Sequence, residues 1–316
     1  MLDFYLYDLN ENKMVAENIT SFELSKDESA ACDGLRLKFY TNKSLDEINK
    51  VVVYKNSDLI FNGFCDTQRE NLSDSGYEVF IYARSSACIL TDNEAKPFTY
   101  ECPSALSLFS QNARAFGFTC NLPKVYCNAP YRVGNSTSCF AAINNFVSAL
   151  TGKNITVTSD NCITVMQENS EINLNVFDIL SEKRITNRGG IISSLEYKND
   201  IKSDYSYHLK SRFFEDKEIK NSKKINLSNL PEWQKNVTLL NLLKSSAKSY
   251  KTIEIEISGC FDFDLYSKVK YNSDYLGEID DYYLSSVRLY FNQNGEKTKL
   301  TLCKNINLME INYVVK

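Results

Sequence analysis

The chain has 316 residues but a single histidine, His208, a single tryptophan, 5 prolines and 11 glycines. One imidazole excludes histidine-rich metal centres, and no nucleophile, base and orienting group are patterned around it. No Gly-x-Ser-x-Gly elbow and no phosphate-cradling glycine loop occurs. So few glycines and prolines leave no room for long flexible linkers. No apolar run approaches the ~20 residues that cross a bilayer. The opening Met1-Leu2-Asp3-Phe4-Tyr5 lacks a charged stretch followed by an apolar one. It does not read as a signal peptide, so a protein made and kept in a cytosol is expected.

Ten cysteines stand against these shortages. Cys32, Cys65, Cys88, Cys162, Cys260 and Cys303 are scattered singly, several beside apolar runs, as small buried hydrophobes would be. The denser group of Cys102, Cys120, Cys127 and Cys139 contains no Cys-x-x-Cys pair. Without further histidines it makes a poor zinc site, so no metal and no cofactor is expected. A local disulfide formed after release is the other reading of this group. The formal charge of -4 carries no basic excess for general nucleic-acid binding. Lys217, Lys220, Lys223 and Lys224 are interleaved with Glu215, Asp216 and Glu218, which reads as a solvated face.

What the chain does have is aromatic and β-branched alternation, with 20 Tyr and 18 Phe. Phe22-Glu23-Leu24 and Leu35-Arg36-Leu37-Lys38-Phe39 alternate with the period of a half-buried strand. Val51 to Tyr54, a turn at 55–58, and Leu59 to Phe64 suggest a hairpin, and a turn at Gly76 precedes a strand from Tyr77 to Arg84. Short strands at this spacing predict a barrel or a sandwich. A helix is predicted after Pro103 and Ser104, with Ala105, Leu106, Phe109, Ala113 and Phe116 on one face and Gly117 as its stop. Another is predicted from Ser138, with Phe140, Ile143, Phe146, Val147 and Leu150 apolar and Gly152 behind it.

Two small strands, 155–158 and 163–165, and a third helix around Phe177 to Lys183 complete an α+β insert. Strands return at 191–197 and 205–210. A helix with Val237, Leu240, Leu243 and Ala247 on one face is expected within 236–250. The clearest strand is Ile253-Glu254-Ile255-Glu256-Ile257. Strands at 268–271, 282–290 and 298–303 follow. The fold class expected is α+β and mainly β. Its divisions are 1–96 (first β domain), 97–190 (α+β insert) and 191–316 (second β domain with one helix).

The two β stretches echo each other. Val51 to Tyr54, Ile60 to Phe64, Gly76 and a strand to Arg84 share their plan with Val269 to Tyr271, Tyr275 to Glu278, Tyr282 to Phe291, Gly295 and a strand to Lys304. All-β domains share such punctuation by default, so duplication and coincidence both fit. If duplicated, two similar units present two similar edges, and head-to-tail contacts close into a ring. Three chains of two units would make a pseudo-sixfold ring.

In the order and spacing of three stretches the chain resembles the baseplate hub proteins of contractile phage tails and tail-like bacteriocins, including the late control protein D and prophage hub families. The stretches are Val51 to Arg84; Ala83-Arg84-Ser85 through Asp92 to Ala95, with Tyr100 ahead of the helix at Ser104; and Tyr283 to Thr301. Ala83 stands where that family often has glycine. The resemblance implies two tube-like β-barrels around the insert and a homotrimer that joins the sixfold tail tube to the threefold central spike. It implies as partners the spike protein, a tail tube or tube-initiator protein and other baseplate (wedge) proteins. DNA or a tape measure would pass through the channel without specific binding. It further implies assembly in the bacterial cytoplasm and release by lysis as part of a virion or tail-like particle.

The enzyme readings are weaker. Glycoside hydrolysis needs two flanking carboxyls, and Asp262 with Asp264, Asp280 with Asp281, and Glu254 with Glu256 are available. Glu254 and Glu256 alternate with isoleucines and simply fill a strand's polar face. The other pairs sit in turn-like or aromatic stretches, so no catalytic residue is assigned. His208 lies in a predicted strand. The alternative function is a cell-surface carbohydrate-binding or peptidoglycan-degrading β protein, with Tyr271, Tyr275, Tyr282 and Tyr283 as a sugar platform.

Overall fold

The computed structural model describes residues 2–74, 76–166, 171–304 and 313–315. The first β unit comprises β1 (Leu2–Asp8), β2 (Lys13–Val15), β3 (Ile19–Asp27), β4 (Gly34–Thr41), β5 (Ile48–Lys55), β6 (Asp58–Ser73) and β7 (Gly76–Ser85). Alternation decides which face is inside: Leu35, Leu37 and Phe39 of β4, and Val79, Ile81 and Ala83 of β7, are buried. Each large apolar side chain so buried contributes roughly 1.5–3 kcal/mol. The ladder runs β3–β4–β7–β6–β5–β1–β2, antiparallel throughout. β2 continues within three residues into β3, through a corner where Asn18 takes a positive φ of 52°. The sheet therefore returns on itself, closed by one bent strand rather than by an added ladder.

The chain then leaves through α1 (Cys88–Asp92), β8 (Phe98–Tyr100) and α2 (Ala105–Asn112). Ser104 caps α2 in a reciprocal box with Ser107, and Gly117 ends the following 3₁₀ turn at φ 83°. Leu108 is buried in α2, whereas Leu106 and Phe116, expected on the inner face, are exposed. β9 (Thr119–Asn121) and β10 (Tyr131–Val133) precede α3 (Cys139–Thr151), which starts at the Ser138 cap and stops at Gly152, as the sequence predicts. β11 (Ile155–Val157) and β12 (Cys162–Val165) complete this insert, whose own core centres on Leu108, Tyr131, Ile143 and Phe146.

The expected helix over 177–183 is not present. β13 (Glu171–Asn173) leads through a 3₁₀ turn at 174–176 into β14 (Ile179–Thr186). β14 pairs with a strand more than sixty residues later, and that ladder overrides the local helical pattern. A separate four-stranded sheet then forms from β15 (Ser194–Lys198), β16 (Tyr207–Ser211) and, after α4 (Arg212–Glu215), β17 (Ser222–Asn226), with the strand 313–315 on its edge. Against it lies α5 (Glu232–Lys248), whose buried residues are Gln234, Leu239, Leu243 and Ala247, so Leu239 takes the inward place expected of Leu240.

The second β unit adds β18 (Lys251–Ser258), β19 (Lys268–Ser273), β20 (Gly277–Asn292) and β21 (Gly295–Lys304), and the strand 313–315 becomes β22 (Tyr313–Val315). Its ladder runs β14–β18–β21–β20–β19–β13. It too closes through a bend, at 174–178 between β13 and β14. β20 pairs on its far side with β3, so both units belong to one 13-stranded sheet. Their cores merge, from Phe4 and Leu37 to Ile255 and Leu300. The fold is α+β and mainly β. Residues 305–312 of the expected second domain lie outside the described residues.

Candidate assembly interface

The two β units carry one ladder twice, except that β1 lies between β5 and β2 in the first unit whereas β13 pairs directly with β19 in the second. β6 and β20 each run 16 residues, and β7 and β21 each run 10. They start at 58 against 277 and at 76 against 295, an offset of 219 in both cases. The β6–β7 register slips between Cys65 and Thr67, and the β20–β21 register slips between Leu284 and Ser286, again 219 positions on. β3 slips against β4 between Ile19 and Ser21, and β14 against β18 between Ile179 and Ser181, an offset of 160. Gly34 faces Arg84, and its counterpart Thr252 faces Cys303. Shared turn punctuation does not place two pairs of bulges at equivalent positions. The echo in the sequence is a structural repeat.

The seam between the units runs from Ser286 opposite Asp27 to Phe291 opposite Phe22. Inside it Leu24 and Leu289 are opposite and buried, and the rings of Phe22 and Phe291 stack with centroids 6.1 Å apart. On the outer face Glu23 receives Arg36 at 3.0 Å and Arg288 at 3.7 Å; on the inner face, past Leu24 and opposite Val287, the largely shielded Lys26 holds both oxygens of Asp262 at 2.8 and 2.9 Å. The exposed pairs of Glu23 add up to about 1 kcal/mol each, so the apolar pairs of the inner row, Phe22 with Phe291 and Leu24 with Leu289, carry most of the seam. Asp33 lies beside the Lys26–Asp262 pair. Burial pushes its carboxyl up to about 6, against the pull of Lys26 and with the repulsion of Asp262.

Behind the seam Glu28 is 6% exposed. Its Oε1 accepts the Tyr283 hydroxyl at 3.0 Å and pairs with Lys248 of α5 at 3.1 Å, while Oε2 has no partner among the described residues. Tyr283 stacks on Tyr266 with centroids 5.4 Å apart. Burial, and then the Glu28 charge, hold the Tyr283 phenol well above its ordinary pKa. One carboxylate thus ties the first unit, the second unit and α5. Trp233 extends α5 to the insert by donating Nε1–H to Pro130 O at 3.2 Å and packing 6.3 Å from Phe146. The aromatic pattern alone could not reveal that Trp233 and Tyr283 anchor separate parts of the chain, because their partners are distant in sequence.

Arg84 joins the first unit to the insert. It donates to Asp66 at 2.5 and 3.1 Å and to Asp92 at 2.9 and 2.7 Å. Asp92 and Asp66 hold the guanidinium far above its usual pKa.

The remaining sequence candidates do not converge. Glu254 and Glu256 sit on the outer face of β18 with Lys299 and Lys297 at 2.9 and 2.8 Å. Asp262 is taken by Lys26, Asp264 is exposed, and Asp280 and Asp281 are exposed on β20 with Lys304 3.9 Å from Asp281. His208 is half-buried in β16 opposite Glu196. Tyr271 is buried and donates to Glu182, and Tyr283 turns to Glu28, leaving Tyr275 as the one of the four tyrosines that is largely exposed, at 81%. Lys224 pairs with Glu196 at 3.6 Å, and Lys217 lies over the Phe213 ring; the side chain of Glu215 lies outside the described residues. All ten cysteines are free, and among the described residues no three His, Cys, Asp or Glu side chains are grouped to hold a metal. No helix of the described chain is long and apolar enough to cross a membrane.

A repeated β unit fused through one seam, with an α+β insert after its first copy, defines the architecture. No protein-family model and no curated protein matches the sequence. Solved structures do match the fold. The tail protein from Neisseria meningitidis MC58 superposes with a TM-score of 0.71 at 13% identity, over 98% of both chains. The 43 kDa tail protein of prophage MuSo2 from Shewanella oneidensis gives 0.72 at 10% identity, over 96% of this chain and 98% of its own. The Escherichia coli c3393 protein is described as a type VI secretion component similar to the T4 tail proteins gp27 and gp5. It gives 0.58 at 7% identity, over 92% of this chain and 74% of its own. The chain therefore has the fold of these tail proteins.

Proposed function

We propose that this protein is the structural hub of a contractile tail baseplate. It forms a trimeric, pseudo-sixfold ring between the sixfold tail tube and the threefold central spike. The observation that carries this reading is the internal repeat: one chain presents two equivalent β units, so three chains present six. The tail-protein fold of its structural neighbours supports a tail or baseplate role. The partners that follow are two further copies of the chain, the spike on the threefold side, a tube or tube-initiator protein on the sixfold side, and wedge proteins around the rim. The central channel passes DNA or a tape measure without specific binding. The protein acts by assembly and not by catalysis. Its working divisions are 1–96, 97–190 and 191–316, with β13 and β14 at the end of the middle stretch pairing into the second β unit, and it is built in the bacterial cytoplasm and released by lysis within a virion or tail-like particle.

The carbohydrate-binding reading loses its motive, because Tyr271 and Tyr283 are committed to Glu182 and Glu28. The test is the mass and symmetry of the full-length chain, alone and mixed with its tube and spike partners, by light scattering and electron microscopy. A threefold ring with six similar lobes is expected. A chain that stays monomeric in all mixtures overturns the proposal, as does turnover of peptidoglycan that Asp280→Asn abolishes.

A further inference from the structure

The repeat makes the two ends of the chain's sheet comparable to its middle. In the middle, the second half of β20 pairs with β3. The equivalent of β20 is β6, and the equivalent of β3 is β14. Among the described residues, Thr67 to Leu72 of β6 make ladder contacts only with β7, and β14 only with β18. These are the same two edges that the seam uses, each left without its counterpart. An open edge is a template for another strand. Both edges also carry exposed apolar side chains, Leu72 at 67% on β6 and Leu180 at 44% on β14, with Val176 at 74% just before it.

We infer that the edge of β6 pairs with the edge of β14 from a second copy of this chain, in the register of the β20–β3 seam. This rests on the ring reading above and names the surfaces that close the ring. Moving the seam's pairs by 219 positions on one strand and 160 on the other fixes the register. Phe291 opposite Phe22 becomes Leu72 opposite Glu182, Tyr290 opposite Glu23 becomes Asn71 opposite Lys183, and Leu289 opposite Leu24 becomes Glu70 opposite Arg184.

The chemistry suits a contact made after folding. The inner row of the intrachain seam is mainly apolar, with Phe291 against Phe22 and Leu289 against Leu24 before it reaches Lys26 opposite Val287. The inner row of the intermolecular seam places opposite charges across from each other, Glu70 against Arg184, and both keep partners in the free chain: Ser44 and the Leu45 amide for Glu70, and Leu276 O for Arg184. Opposite charges facing each other across strands favour one register and one partner. Gln68 and Glu70 correspond to the buried Val287 and Leu289, so they point to the inner face. Their bonds to the 44–48 segment are made by side chains and use no backbone N–H or C=O of β6. The contact is head-to-tail, and three repetitions return to the first chain when each step turns through a third of a circle.

Residues opposite each other on antiparallel strands have Cα atoms about 4.5–5.5 Å apart, within reach of a disulfide. In full-length chain carrying both Asn71→Cys and Lys183→Cys, mild oxidation is expected to give covalent dimers and trimers that reductant dissolves. Either single variant is expected to stay at the wild-type background set by the native cysteines. Glu70→Arg is expected to weaken assembly at least tenfold, and adding Arg184→Glu to restore it. Trimers that do not cross-link, with assembly indifferent to Glu70→Arg, overturn the edge pairing and leave the ring reading standing. A chain that stays monomeric with tube and spike present overturns both.

Discussion

Asp66 and Ser285 occupy the same bulge in the two halves of the molecule, and each bonds the side chain at the equivalent place on the neighbouring strand. Asp66 holds Arg84, whereas Ser285 receives the Cys303 thiol at 3.2 Å. The geometry repeats and the chemistry differs, because Arg84 also reaches Asp92 at the entry to the insert while Cys303 is buried. Arg84→Lys keeps the charge but loses the two-sided fork. It is expected to destabilise the folded chain by about 1–2 kcal/mol, and proteolysis is expected to cut first near residues 93–97. Equilibrium urea unfolding and limited digestion with a glutamate-specific protease, which can cut after Glu94, measure the two effects.

The Glu28–Lys248 pair lends itself to a double-mutant cycle. Lys248→Met leaves a buried carboxylate with only the tyrosine hydroxyls of Tyr283 and Tyr266, and a loss of about 2–4 kcal/mol is expected. Glu28→Gln together with Lys248→Met is expected to recover more than half of that loss, since no buried charge then lacks its partner. Equal losses in the single and double variants would show that Lys248 acts through packing alone.

Asp33 sets a pH dependence. Its folded pKa of about 6 lies above the ordinary 3.8. The unfolded chain therefore releases this proton first, and the stability from protonated Asp33 is complete below about pH 3.8 and is lost as pH rises through 6. Asp33→Asn mimics the protonated form. It is expected to raise stability by on the order of 2 kcal/mol at pH 7.5 and by little at pH 4. Melting temperatures of the two proteins across that range test it, and a constant difference at all pH values contradicts it.

Gly63 and Gly277 are both glycines of the duplicated strands, yet they are glycine for different reasons. A Cβ on Gly63 would lie 2.1 Å from Arg84 O and 2.7 Å from Phe61 Cζ, whereas Gly277 has open space around it and a φ of 78°. Gly63→Ala is expected to cost about 3 kcal/mol or more, because backbone must move. Gly277→Ala is expected to cost about 1 kcal/mol, the strain of a left-handed position. Chemical denaturation of the two variants gives the ranking.

Local pattern carried far in this chain. Strands such as Leu35–Phe39 and Ile253–Ile257 were legible because one face is buried and the period is two. The helix starting after Ser138 was legible because its cap and its Gly152 stop are chemical signals at both ends. The stretch 177–183 misled, since Phe177, Ile179 and Leu180 fit a helical face and the partner strand lies at 251–258. The four tyrosines read as a platform because sequence does not reveal that Glu182 and Glu28 receive two of them. The repeat was visible only as an echo, since the counterparts share bulges and strand lengths but few side chains.

By itself, the sequence determined the chemistry that is scarce here, the alternation that makes most strands, and the caps that bound the central helices. Those depend on neighbours within a few residues. Tertiary structure alone decided that β20 crosses to β3, that both units share one core, and that β6 and β14 keep an edge unpaired among the described residues. Strand pairing is set by which backbone edges meet in space, and residues hundreds of positions apart leave no local mark of that meeting.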